Sequence, residues 1–143
     1  MNARVKIRFP FTNSSGNIET ETMWTVKRED GYAIDNIPFY AKELALGDVV
    51  SVNNAADGTL WHSELVRASG HSTIRLWMAS ESDVPRVRGE LKRMGCASEV
   101  SDLPRLVAVD IPPNVPYGSV KAYLDEGRGV GTFEYQEACL GFM

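Results

Sequence analysis

Two histidines, His62 and His71, are the residues of this chain best suited to general acid–base chemistry, because imidazole alone titrates near neutrality without help. His71 can be grouped with Asp48 and Ser72 as base, orienting acid and nucleophile, but no second sequence feature marks these three as a set. His62 follows Leu60-Trp61 in an alternating stretch and reads as a half-exposed strand residue. His71, after Ser69-Gly70, reads as a turn residue bonded to nearby backbone. Cys96 and Cys139 have no ligand-type spacing to another Cys or His, which fits reduced structural thiols. No metal and no cofactor is expected. Gly127-Arg128-Gly129-Val130-Gly131 has the composition of a phosphate cradle in the wrong context. It leads from a predicted helix into a strand, whereas phosphate loops lead from a strand into a helix N-terminus.

Charged and aromatic residues offer binding chemistry instead. Arg75 and Trp77 share one face of a predicted strand, as in base-stacking RNA domains, but the facing positions Leu106, Ala108 and Asp110 lack the paired aromatics. That face therefore reads as a packing surface. Arg86, Arg88, Lys92 and Arg93 interleave with Glu81, Asp83 and Glu90, the pattern of a solvated helix face. Asp125 and Glu126 fall in the last turn of a predicted helix, where an acid opposes the dipole at a cost of ~0.3–1 kcal/mol. A net charge of −4 and a pI near 5.2 disfavour a protein whose affinity comes from neutralising nucleic-acid phosphates. They favour a partner with a basic surface.

The elements that must position these residues divide at Gly70. Before it, Val5, Ile7 and Phe9 alternate with Lys6 and Arg8, and further short strands are predicted around Thr22–Val26, Tyr32–Ile34, Asp48–Val52 and Thr59–Val66. Turns at Glu29-Asp30-Gly31 and Asp57-Gly58 join them, as in a small SH3-like or OB-like β-barrel. After it, Ile74, Leu76 and Met78 alternate in a strand. Val84, Val87, Leu91 and Met94 then recur at helical spacing between a Ser80 or Ser82 cap and Gly95. Two strands (96–100 and 106–111), a helix ending near Gly127 and a last strand (132–139) complete a ferredoxin-like βαββαβ order. The expected class is thus α+β, with a barrel subdomain at 1–69 and a ferredoxin-like subdomain at 70–143. Arg4, Lys6 and Arg8 interrupt the apolar N-terminus against a signal-peptide core, and no apolar run approaches the ~20 residues of a membrane span. A cytoplasmic protein without membrane contact is expected.

The run from Asp35-Asn36-Ile37-Pro38-Phe39-Tyr40-Ala41 through Leu46-Gly47-Asp48-Val49-Val50 to Ser69-Gly70-His71-Ser72-Thr73-Ile74-Arg75 resembles a small bacterial family catalogued only as a domain of unknown function. The resemblance spans most of the chain, with its signature in the middle third, and it carries no catalytic residues across. It implies a setting beside secreted bacterial toxins, where small acidic proteins serve as immunity factors. Read as residues, the motif is architectural: Asn36 suits a turn, Pro38 fixes chain direction, and Phe39 and Tyr40 close one end of the barrel.

Two functions are expected to compete. The leading one is a non-enzymatic protein-binding module, an immunity protein that occludes a cognate toxin through Asp125, Glu126 and Glu134. The alternative is a small-ligand-binding protein or enzyme using a cleft between the halves, with Asp48, His71 and Arg75 near it.

Overall fold

The computed structural model describes residues 4–142. Five strands, β1 (Arg4–Thr12), β2 (Ile18–Arg28), β3 (Gly31–Ile34), β4 (Val49–Asn54) and β5 (Leu60–Arg67), form a closed barrel in sequential order. The barrel closes through a parallel β1–β5 pairing at Arg8 and Trp61. Alternation decides the faces of β1: Ile7 and Phe9 point inward with Met23, Ile34 and Val50, and Lys6 and Arg8 point out over Trp24 and Trp61. His62 packs its ring on Phe9 with centroids 5.0 Å apart, and burial lowers its pKa.

The second sheet contains β6 (Ser72–Met78), β7 (Ser98–Val100), β8 (Leu106–Ile111) and β9 (Phe133–Cys139), in the order β7-β8-β6-β9 with antiparallel pairing throughout. A single 3-10 turn, Glu81–Asp83, leads into α1 (Val84–Arg93), and α2 (Tyr117–Gly129) precedes β9. Ser80 accepts from the Ser82 N–H at the start. Gly95, at φ 94°, ends α1 in a Schellman arrangement, with Cys96 N–H donating to Leu91 O and Gly95 N–H to Lys92 O. Both helices cover one face of this sheet, where Ile74, Leu76, Met78, Val107, Val109 and Ile111 join Val87, Leu91, Val120 and Leu124 in one core. Each such side chain, once fully buried, contributes roughly 1.5–3 kcal/mol of transfer free energy.

The opposite face is buried at its centre and open toward Trp77 and Glu134. Thr73, Leu106 and Ala108 are inaccessible, and Arg75 and Asp110 nearly so. The layer over them is the connection formed by residues 35–48, between β3 and β4. It is tied down by Thr73 Oγ1 donating to Leu44 O at 3.0 Å, Arg75 Nη2 to Ala41 O at 2.5 Å and Glu43 N–H to Ala138 O at 3.3 Å.

This corrects the expected class. Strands hold 44% of the described residues and helices 19%, in two largely antiparallel sheets, so the protein is β-rich with few helices rather than α+β with a clear ferredoxin-like half. The physical reason is that β7 is only three residues long and the centre of the second sheet's other face is covered by the chain leaving the barrel. Local periodicity does not encode that cover. Among the described residues, no helix is long and apolar enough to cross a membrane.

Candidate functional site

Two recesses open where the barrel meets the second sheet, and they divide the residues singled out from the sequence. Asp48 and His71 line a cleft of about 450 Å³ together with Glu43, Glu137 and Cys139. Arg75 instead lines a separate groove of about 660 Å³. The expected trio of Asp48, His71 and Arg75 is therefore split between two sites.

In the cleft, the His71 Nδ1 lies 2.8 Å from the Asp110 carboxylate, a partner 39 positions away. Asp110 is 3% exposed, and that burial raises its pKa despite the opposing pull of the imidazole. The ring thus bonds a carboxylate and only the His71 N–H serves the local turn, donating to Ser69 Oγ. Asp48 is no part of this pair. Its Oδ2 accepts from Ala45 N–H, and its Oδ1 from Ser69 N–H and Ser69 Oγ, so it acts as a turn organiser. Ser72 Oγ accepts from Gly141 N–H and stands outside any triad. Glu43 is the one described non-glycine residue with positive φ, at 60°. Cys139 is unbridged and its pKa is raised, first by burial and then by Asp48 and Glu43, which is the opposite of an activated thiolate.

The groove lies between the β1–β2 hairpin and the exposed end of the second sheet. Phe11 stacks on Tyr40 at 5.2 Å, with Phe39 tilted beside Tyr40. Trp77, 47% exposed, faces them from β6, with Lys42, Gln136 and Leu103 around the opening. Arg75 is 6% exposed, its Nη2 is held by Ala41 O, and its buried Nε has no partner. The loop carrying Phe39 and Tyr40 is shaped by Glu21, whose carboxylate accepts from the N–H groups of Phe39, Tyr40 and Ala41 at 2.7–3.0 Å. Asn36 caps the same loop, its Oδ1 accepting from Trp24 N–H at 2.6 Å.

The three acids expected to meet a partner point in three directions. Asp125 is bonded by the Tyr135 hydroxyl and paired with Lys121 at 3.5 Å and Arg128 at 3.3 Å, and these contacts hold its carboxyl below the usual range. Glu126 lines a smaller recess beside Arg86 and Tyr123. Glu134 is the cross-strand neighbour of Trp77 and so flanks the groove. Sequence reasoning missed Glu21 and the pairing of Asp110, although both carry a parity signal. Glu21 keeps step with the inward-facing Met23 and Thr25, and Asp110 with Leu106 and Ala108. Among the described residues, no group of three or more His, Cys, Asp or Glu side chains is placed to hold a metal ion.

The fold and its recesses define a β-rich protein in which a five-stranded barrel and a helix-backed sheet meet across a bridging loop. Residues 21–135 match the family described as Domain of unknown function (DUF4265), and the chain belongs to that family. A solved structure described as "Novel crystal structure of a hypothetical protein from Neisseria gonorrhoeae" is similar over 99% of this chain and 98% of its own, with a TM-score of 0.85 at 23% identity. That likeness shows the fold. No curated protein matches the chain.

Proposed function

We propose that this chain is a non-enzymatic protein-binding module, acting as an immunity protein that occludes a cognate bacterial toxin. One observation carries the reading: the groove between the hairpin and the second sheet gathers Trp77, Tyr40 and Arg75 with Phe11 in an open recess. Trp, Tyr and Arg are the residue types enriched at interface hot spots, and Trp77 is left 47% exposed beside the other two. The net charge of −4 supports steering toward a partner with a basic surface. The reading gives Glu134, the cross-strand neighbour of Trp77, a part in the contact, whereas Asp125 is already paired with Lys121 and Arg128. The toxin setting itself rests on the family resemblance of the signature run.

Co-expression with the neighbouring gene product tests this reading. A salt-sensitive complex is expected, weakened at least ~30-fold by Trp77→Ala, the scale of a hot-spot truncation of ~2 kcal/mol. Absence of association, or a complex indifferent to Trp77→Ala, counts against it.

A second reading, a small-ligand protein or enzyme, draws on the His71–Asp110 pair. An ionised Asp110 holds the proton on Nδ1 and leaves Nε2 as a base at the 450 Å³ cleft. A ligand that raises the melting temperature of the wild type but not of His71→Gln would favour this reading; a shift retained in the variant would remove it.

A further inference from the structure

We infer that the junction groove receives the free C-terminus of a partner chain, with Arg75 taking the carboxylate and Trp77, Tyr40 and Phe11 taking the last apolar side chain. The inference rests on the protein-binding reading and names the chemistry that would be recognised there.

Arg75 supplies the first argument. A guanidinium carries five N–H donors, and this one is 6% exposed with a single protein acceptor, Ala41 O, and an orphaned Nε. Among the described residues it makes no ion pair. The acid that stabilises its charge from a distance is Glu21, whose two oxygens are already committed to three backbone N–H groups. A buried, hydrogen-bond-hungry cation of this kind is costly unless an anion completes it, and carboxylate is the planar acceptor that matches a guanidinium edge.

The second argument is shape. Arg75 sits low in the groove while Trp77, two residues along the same strand face, is half exposed, so anion site and apolar platform lie side by side. A chain end reaches a floor group without having to leave again. With Arg75 only 6% exposed, an internal acidic side chain would have to bring the chain on both sides of it against that small opening. At the rim, Lys42 adds a second cation, against Glu19 and Asp102. Glu19 is already engaged by Asn13 Nδ2 at 2.7 Å.

Acetylated tripeptides ending in Phe, Leu or Ala, each as free acid and as C-terminal amide, test this by calorimetry and by amide and indole chemical shifts on the wild-type protein. The Phe-terminated acid is expected to bind best, to move the Trp77 indole resonance, and to exceed its amide at least about tenfold, the least that one charge-assisted bond supplies. Arg75→Met should abolish the acid–amide difference. Because losing the bond to Ala41 O also weakens the loop, Arg75→Lys, which keeps the charge without the fork, should retain only part of it. Equal binding of acid and amide, or no binding by either at millimolar concentration, overturns the inference. A partner complex indifferent to Arg75→Met would overturn it while leaving the protein-binding reading intact. Peptide binding as expected in a chain that forms no complex with the neighbouring gene product would support it and remove the immunity reading instead.

Discussion

Asp110, Glu21 and Asp48 each bring a carboxylate to a site less than a tenth exposed, and each is accommodated differently. Glu21 accepts from three backbone N–H groups and Asp48 from two, so their charges organise loops. Asp110 has His71, and burial outweighs that partner, so its folded pKa lies above the ordinary 3.8. An acid with a raised folded pKa binds more protons folded than unfolded, and stability must fall as pH rises from 3.8 through the folded value. Asp110→Asn keeps an acceptor for the imidazole and removes this titration. Urea denaturation across the acid range should therefore show the stability difference moving in favour of the variant over that window, then levelling. In a His71→Gln background the window should extend to higher pH, because the imidazole no longer opposes burial. Parallel profiles for wild type and variant would refute the assignment.

The Gly-rich end of α2 shows how an element acquires meaning from its neighbour. Gly127 lies inside the helix, and a Cβ there would overlap the ring of Phe133, which is 3% exposed at the start of β9. The glycine thus lets α2 lie down on β9, and what resembled a phosphate cradle is a helix terminus followed by Gly131 at φ 82°. Gly118, in the first turn of the same helix, has nothing within 4 Å of its missing Cβ. Gly118→Ala should gain up to ~1 kcal/mol from helix propensity, whereas Gly127→Ala should lose ~1–3 kcal/mol to overpacking. Thermal denaturation of the two variants checks this, and a shared sign would show that propensity alone governs both. Asp125 teaches the same lesson in charge. Set against the dipole of α2 it looks unfavourable, yet Lys121, Arg128 and Tyr135 surround it.

At the scale of the molecule, the bridging loop of residues 35–48 gives the barrel and the second sheet one shared interior. Thr73 Oγ1 to Leu44 O and Arg75 Nη2 to Ala41 O are buried bonds that both parts need. One cooperative unfolding transition is expected, with the fluorescence of Trp24 and Trp61 in the barrel coinciding with the far-UV signal of α1 and α2. Thr73→Val, which orphans a buried carbonyl, should cost ~1–3 kcal/mol without separating the two signals. Two resolved transitions would mean that the parts fold independently. The sequence by itself determined what depends on near neighbours. Alternation in Ile7–Phe9, Ile74–Met78 and Val107–Ile111 sets which side chains face inward, and Gly95 ends the first helix, while Ser80 caps the 3-10 turn that leads into it and Asp83 stands at its own N-terminus. It marked the run Asp35–Ala41 as architectural, with Phe39 and Tyr40 closing one end of the barrel; in the structure these two side chains line the groove beside Trp77, and Ala41 is bonded to the second sheet through Arg75. Only the tertiary structure decided the site. His71 and Asp110 are 39 positions apart, Arg75 and Ala41 34, and the groove exists because the barrel hairpin is held over the face of another sheet. Local periodicity reports the side on which a residue is buried; which partner waits there depends on how two sheets and a long loop close on one another.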